Sequence, residues 1–519
     1  MVSALLGLFR DRLLAGKFGT GNELDAYYTA FVVPDFVALI LIFGAISVAI
    51  IPVFSSYYMK SKEDAWEYVS NLLNIFLTFL IVVCIVLIIF APLIVSLIAP
   101  GFFGAKRVDT ILLMRIMFLS PIILGTSNII SGILQVFHRF LVTALAPIMY
   151  NLGIITGILF FAPKFGISGL ALGVVFGGLL HLLIQIPAFL HSGFKYKKIF
   201  KINHPGILKT FKLMAPRSFG LGAGQFNTVI ITAIASTLTS GSVAVFNLAN
   251  NLSSMLVNSI AVSLSTAVFP TMSLAYLKED KKDFKKKFSR SFSQIIFLMI
   301  PISLLTFILR AQIVRVVLGT GKFGWLDTRL TAACLGVFSL GLCFQGLIFI
   351  LSKTFYAAHN TKIPALISFA TVVFNILMSL LFVRLLSFNG VFYNFFQSWL
   401  KLQGVKNITV IGLALAFTIT AIAEALFLLF FLHKKFGILE LKDMLKSLSK
   451  ILSASFIMTI ITLIVRQSLI IYNIVSLQTF WGVFLQLVLS GVAGIISYII
   501  ISFVLKSQEL KTIKESFFK

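Results

Sequence analysis

Residues 75–97 read IFLTFLIVVCIVLIIFAPLIVSL, a run without one charged side chain. At 1.5 Å per residue a helix of this length crosses the ~30 Å hydrocarbon core of a bilayer. A strand of a membrane barrel would alternate polar and apolar positions over about ten residues. This run is apolar all the way round, which predicts a helix. The rest of the chain follows suit: of 519 residues, 59% are hydrophobic and only 12% charged, and the mean hydropathy is +1.03. No water-soluble core hides that much apolar surface.

Working outward from that run, fourteen apolar stretches account for nearly the whole sequence, near 2–16, 27–57, 69–99, 110–136, 140–163, 167–191, 213–238, 241–272, 288–314, 331–357, 361–384, 409–433, 445–466 and 477–505. The expected fold is an all-α integral membrane protein of about 14 transmembrane helices. Alternate loops and the C-terminal tail hold 27 of the 43 Lys and Arg, so the positive-inside rule places both termini in the cytoplasm. The formal charge of +26 is spread over several loops at one membrane face. That distribution suits anionic inner-leaflet lipids and speaks against nucleic acid. The stretch 192–212 interleaves Phe194, Tyr196, Ile199, Phe200 and Ile202 with lysines, which predicts an amphipathic linker on the cytoplasmic surface.

The chain also repeats itself. A shift of 218 residues brings Pro52 onto Pro270, Asp109-Thr110 onto Asp327-Thr328 and Phe137 onto Phe355. With an insertion of about 25 residues near 385–408, Gly169-Leu170-Ala171-Leu172 meets Gly412-Leu413-Ala414-Leu415. Six spans separate the copies, an even number, so the two six-helix repeats are parallel, and in transporters that arrangement puts the substrate path between the halves. The expected organisation is a six-helix bundle over 1–191, the linker 192–212, a second bundle over 213–433, and two additional helices with a basic tail over 434–519.

Ionisable groups inside spans are expensive and usually face a cavity or a partner. Arg10, Asp11 and Arg12 stand together in the first span. An arginine facing a wet cavity suits a pyrophosphate through bidentate, charge-assisted bonds, while snorkelling to an interface is the bland alternative. Arg217 has a comparable setting after Pro216, with headgroup contact as its alternative. Asp25 reads as an N-cap or a cavity carboxylate. Asp35, after Pro34, pairs with Arg10 or Arg12 or caps the segment beyond a kink. Asn247, Asn251 and Asn258 share a helix face with Ser254 and line a cavity or bond to neighbouring helices. Lys353 and Glu424 are isolated at greater depth, where a coupling step competes with a structural hydrogen bond.

Catalytic chemistry is not expected. Gly220-x-Gly222-x-Gly224 follows no strand, and close helix packing explains it better than a nucleotide. Asp280-x-x-Asp283 lies in a Lys-rich loop and reads as a solvated turn. The six histidines show no ligand spacing, and Cys84, Cys334 and Cys343 lie in apolar spans with neither disulfide nor zinc spacing. No metal, no cofactor and no signal peptide are expected.

Gly7-Leu8-Phe9-Arg10-Asp11, Phe18-Gly19, Asp25-Ala26-Tyr27-Tyr28 and Pro34 together resemble the opening signature of the MurJ/MviN-type lipid II flippases. Pro100-Gly101-Phe102, Ala146-Pro147 before Asn151, Gly241-Ser242-Val243 and Gly321-Lys322-Phe323 before Asp327-Thr328 extend the likeness over nearly the whole chain. The resemblance implies a fourteen-helix member of the multidrug/oligosaccharidyl-lipid/polysaccharide exporter superfamily in the bacterial inner membrane. It also implies export of undecaprenyl-pyrophosphate-linked peptidoglycan precursor, with cell-wall synthesis proteins as further partners. Three arginine positions of the family are here Ala4, Ala38 and Asn251. Where some members build a sodium site, Ile231 and Ser379 stand with only Asn375 retained. Arg217 is the candidate for the missing positive charge. Export of another polyprenyl-linked glycan or of a small organic cation, and a non-transporting cell-wall scaffold, are the alternatives.

Overall fold

Proline decides where the long apolar runs break. A computed structural model describes residues 2–40, 49–388, 390–405, 407–437 and 441–511, and the side chains of these except 215–223 and 441–444. Among the described residues every regular element is a helix. Eleven stretches are long and apolar enough to cross a bilayer, from Lys62–Ile89 to Phe480–Val504.

The first compact unit is Met1–Ala244. It holds α1 (Val2–Phe18), α2 (Asn22–Ala38), α3 (Ile51–Tyr58), α4 (Lys62–Ile89), α5 (Ala91–Ile98) and α6 (Gly104–Met117). It continues through α7 (Leu119–Val136), α8 (Phe140–Thr156), α9 (Ala162–Phe165), α10 (Ser168–Leu183), α11 (Ile186–His191) and α12 (Pro205–Ser236). Helices α1, α2 with α3, and α12 lie where spans near 2–16, 27–57 and 213–238 were expected, but they are not among the eleven, so the described residues give eleven spans against the fourteen expected.

Pro52, Pro92, Pro163 and Pro187 each stand in the first turn of a short helix, where the missing N–H costs least. Breaking a helix still orphans a carbonyl one turn back, and in lipid that group needs a donor. Pro92 has no amide for the carbonyl of Ile88, and Arg115 Nε of α6 donates to it at 3.2 Å. After α8, a π segment over Gly157–Phe161 shifts the pairing to i+5, which sets the carbonyl of Ile158 opposite Pro163. Lys17 Nζ of α1 takes that carbonyl at 2.6 Å. Two basic side chains in or beside apolar spans thus serve carbonyls that a proline nitrogen cannot.

Helices α8 and α10 meet along a glycine seam. A Cβ on Gly153 would come within 2.2 Å of the Gly177 backbone, and one on Gly157 within 2.4 Å of Gly173, so only glycine allows this approach. The repeated Gly-Leu-Ala-Leu motif works the same way at both sites. A Cβ on Gly169 would lie 2.4 Å from Ala162 N, and one on Gly412 2.8 Å from Val383 N. Gly224 behaves differently from the close packing expected of it, because a Cβ there meets nothing within 4 Å.

The linker lies along α4. Residues 194–204 carry no regular helix and are strapped to α4 by side-chain amides. Asn71 Nδ2 donates to the Lys201 carbonyl and its Oδ1 accepts from the Lys201 amide, both at 2.8 Å, while Asn74 Nδ2 holds the Ile199 carbonyl at 2.8 Å. Phe194 seats against Trp66 and Phe189. Helix α12 then starts at Pro205, capped by His204. Helix α12 packs on α2, α3, α4 and α5. The compact units divide between Ala244 and Val245.

The second unit is Val245–Lys519. It takes up α13 (Ser242–Val257) after its first turn, then a π segment over Asn258–Val262, α14 (Ser263–Leu277), α15 (Lys281–Leu318), α16 (Trp325–Ala357) and α17 (Lys362–Ser387). A short α18 (Val391–Trp399) occupies the insertion, followed by α19 (Val410–Phe436), α20 (Leu441–Ile471) and α21 (Phe480–Val504). Asp280 caps α15 through the Asp283 amide at 2.9 Å, so the carboxylates of that loop serve a helix start. The core joins Phe288, Ile295 and Met299 of α15 to Leu342 and Phe355 of α16 and Leu428 of α19. Helices α20 and α21 close on α15 around Phe297, Met458 and Tyr498, whose hydroxyl donates to the Phe297 carbonyl at 2.7 Å. The two matched loops behave alike: Thr110 and Thr328, both buried, return their hydroxyls to the carbonyls of Lys106 and Gly324.

Candidate functional site

The first unit gathers its charges around α1. Arg10 Nε and Nη2 both donate to Asp11 Oδ1, at 3.0 and 2.8 Å. The Arg10 side chain keeps 22% of its surface exposed while Asp11 keeps 4%. The pair is therefore a buried carboxylate holding the root of a guanidinium whose far edge is open. That far edge, Nη1, lies 3.4 Å from Asn151 Oδ1 of α8, at the long limit of a hydrogen bond. Asn151 is steadied through its amide nitrogen by the Pro147 carbonyl at 3.0 Å and by Ser3 Oγ at 3.3 Å. These bonds set Asn151 Oδ1 toward Arg10.

Tyr27, Tyr28 and Asp35 of α2 lie within electrostatic reach of Arg10. The Tyr28 hydroxyl is buried with no hydrogen-bond partner. Asp35 borders a small cavity of about 10 Å³, lined also by Phe31, Ala38, Ser120 and Tyr150. Asp35 makes no ion pair with Arg10 at contact distance, because Asp11 takes that role. Ala38, one of the positions where the family resemblance implies an arginine, faces this same cavity. Arg12 is half-buried on another face of α1.

Asp25 has a different task. It is buried and receives Lys106 Nζ at 2.7 Å, the Gly241 amide at 2.7 Å and the Ala244 amide at 2.8 Å. Its own helix has Gly21 at the N-cap, so Asp25 caps the start of α13 instead. Gly241 makes the approach possible: its φ is +89°, and a Cβ there would sit 2.2 Å from the Thr20 carbonyl. Three charge-assisted bonds occupy most of a carboxylate's acceptor capacity. They make Asp25 a clamp on the backbone.

The polar residues expected in the second unit stand on several of its helices. Asn247 and Asn251 are half-buried on α13, and Asn258 is exposed at the first residue of the π segment. Lys353 Nζ donates to Thr266 Oγ1 at 2.5 Å. Glu424 accepts from Ser368 Oγ at 2.8 Å. Fully buried Asn375 donates to Thr420 Oγ1 at 3.2 Å, with its own Oδ1 unpartnered. The Arg217 side chain lies outside the described residues. Among the described residues no three His, Cys, Asp or Glu gather as a metal site, and the three cysteines are buried and unpaired.

Sequence reasoning singled out Arg10 and Asp11 but gave no role to Asn151, Tyr28 or Lys106. The signal for Asn151 was its spacing of four from Pro147. For Lys106 there was none, because in a Gly-rich loop it looks solvated.

Residues 14–484 match the family model described as lipid II flippase MurJ. A probable lipid II flippase MurJ of Buchnera aphidicola subsp. Acyrthosiphon pisum is 32% identical over 73% of this chain and 75% of its own length. A solved structure of lipid II flippase MurJ in an inward closed conformation superposes with a TM-score of 0.76 at 27% identity, covering 97% of this chain and 96% of that one. An inward-facing MATE-family transporter of the MOP superfamily shares the fold, with a TM-score of 0.66 at 14% identity over 84% of this chain and 94% of its own.

Proposed function

This chain belongs to the lipid II flippase MurJ family, and from that premise we propose that it carries lipid II from the inner to the outer leaflet by alternating access. It is a multi-pass inner-membrane transporter. Both termini face the cytoplasm in this reading, on the strength of the basic residues at one set of loops.

The observation that carries the site is the half-satisfied guanidinium of Arg10. Asp11 fixes its Nε and Nη2, which sets the plane of the fork and leaves Nη1 with only the 3.4 Å contact to Asn151. A pyrophosphate oxygen is a far better acceptor than an amide carbonyl. It replaces Asn151 at Nη1, and the unpartnered Tyr28 hydroxyl supplies a further donor nearby. Because Asp11 already neutralises part of the charge, the hold on a pyrophosphate is moderate, as a carrier that must release its cargo on the far side requires. Transport then needs only that the two conformations bind the headgroup with different affinity.

Arg12, Asp35 and Arg217 of the first unit are proposed to bind the substrate with Arg10, and Asn247, Asn251 and Asn258 are proposed as substrate-binding positions of the second unit. Asp25 is proposed to act on the substrate indirectly, through the loop it clamps. Lys353, Glu424 and Asn375 remain the candidates for a coupling step, supported by the partly unsatisfied polar line of α17 and α19.

The test is leaflet-specific labelling of lipid II in cells depleted of this protein and complemented with wild type or Arg10→Ala. Wild type should restore outer-leaflet lipid II, and Arg10→Ala at equal abundance should lower it at least tenfold. Failure of the wild type would defeat the flippase reading. Wild-type transport by Arg10→Ala would defeat the site.

A further inference from the structure

Two arginines of the second unit converge without an acid between them. Arg310 Nη1 of α15 donates to the Phe307 carbonyl at 2.8 Å, and Arg466 Nη1 of α20 donates to the carbonyl of the next residue, Ile308, at 2.8 Å. Because those carbonyls are consecutive on α15, the two guanidiniums stand side by side. Among the described residues neither makes an ion pair. Like charges withdrawn from water side by side cost free energy unless an anion joins them.

Beside them runs a chain of amides. Gln486 of α21, 0% exposed, donates to the Arg466 carbonyl at 3.1 Å and accepts from Gln312 Nε2 at 2.9 Å. Gln312 Oε1 is left buried with no hydrogen-bond partner. The pocket is built to hold the arginines: Gly336 of α16 leaves room for the stem of Arg310, where a Cβ would lie 2.6 Å from Arg310 Cδ. The Arg310 guanidinium lies 4.8 Å from the Phe307 ring, which packs on Trp399 of α18 at 5.6 Å. The site therefore offers spare cationic donors and one spare acceptor, the complement of a phosphate that carries a hydroxyl group.

Its position names the source. Arg466 stands five residues before the end of α20, about 7.5 Å of helix rise from the terminus. Exposed Trp399 and Trp481 mark an interfacial belt around it. Ile464 and Leu485, 58% and 46% exposed, turn apolar surface to lipid on either side. This is headgroup depth, at the membrane face away from the lysine-rich start of α15.

We propose that Arg310, Arg466, Gln312 and Gln486 form a binding site for the phosphodiester headgroup of an anionic, hydroxyl-bearing membrane lipid such as phosphatidylglycerol. The phosphate bridges the two guanidiniums and a glycerol hydroxyl donates to Gln312 Oε1. The site stands apart from the transport site around Arg10 and does not depend on it.

The experiment is thermal unfolding of the purified full chain in neutral detergent, titrated with phosphatidylglycerol, phosphatidic acid, phosphatidylcholine or inorganic phosphate. Phosphatidylglycerol should raise the Tm saturably and phosphatidylcholine should not. Arg310→Gln and Arg466→Gln, each keeping an amide donor for its helix carbonyl, should weaken the apparent affinity at least tenfold. Arg384→Gln, on an exposed last turn of α17, should leave it unchanged. An equal loss in Arg384→Gln would reduce the effect to general charge and overturn the proposal, as would a Tm shift from inorganic phosphate matching that from the lipid. Should the arginine variants fail to fold, Gln312→Leu decides: loss of the preference for phosphatidylglycerol over phosphatidic acid supports the site, and an unaltered preference refutes it.

Discussion

At the scale of single residues, the two-pronged grip of Arg10 on Asp11 separates charge from geometry. Lysine keeps the charge of Arg10 but has no planar fork, so Arg10→Lys loses both the Nε and Nη2 contacts to Asp11 Oδ1. Flipping by this variant should fall about tenfold, equivalent to ~1.4 kcal/mol, in the leaflet-labelling assay. Activity at the wild-type level would mean that charge alone suffices. Arg10 and Asp11 were legible in the sequence because a charge pair in an apolar span is costly and needs a reason. Asp25 was legible as a cap but not for the right helix, since the Gly241 and Ala244 amides it holds lie over 200 residues away. Arg310 and Arg466 carried no such signal: each stands alone near the end of an apolar span, and only packing brings them together.

At the scale of elements, side chains repair what proline breaks. If Arg115 serves the carbonyl that Pro92 orphans, then Pro92→Ala restores a backbone donor and relieves Arg115 of that duty. Arg115→Leu should destabilise the native background by about 1 kcal/mol and the Pro92→Ala background by much less, a coupling readable in a double-mutant cycle of Tm values. Additive effects would show the contact to be incidental. The strap over 194–204 makes a second case. Asn71 is fully buried and serves both backbone groups of Lys201, so Asn71→Leu leaves a donor and an acceptor unpaired at ~1–3 kcal/mol each. Trypsin should then cut at Lys195 to Lys201 several-fold faster than in wild type, with an equal cutting rate as the contrary result. The apolar periods announced the helices, because length and hydropathy are local. They could not announce a strap, because the alternation of Lys and aromatic residues over 194–202 describes a surface helix equally well. What settles it is the pair of asparagines on α4, spaced three apart and invisible as partners until the chain has folded back.

At the scale of the whole molecule, the span pattern and the repeat punctuation were readable because each rests on chemistry that recurs: glycine where backbones touch, threonine returning its hydroxyl in the matched loops, proline at the breaks. The packing of α12 on α2 to α5 was not readable, because its composition says nothing of which helices it meets. Sidedness can be checked directly. The three native thiols are buried, so one introduced cysteine reports alone. A membrane-impermeant maleimide should label Gly321→Cys in intact spheroplasts, and Ser192→Cys only after the membrane is opened. The reverse pattern would invert the proposed topology.

The proline breaks carry one more implication. A continuous helix bends a little everywhere, but a rod cut at Phe90, Phe161 and Gln185 flexes only at its knuckles. Each piece between them moves as a stiff lever, so strain introduced at one end arrives undiluted at the next joint. Hydrogen–deuterium exchange along α4 to α11 should accordingly be stepped rather than smooth, fastest at those three knuckles and slow between them.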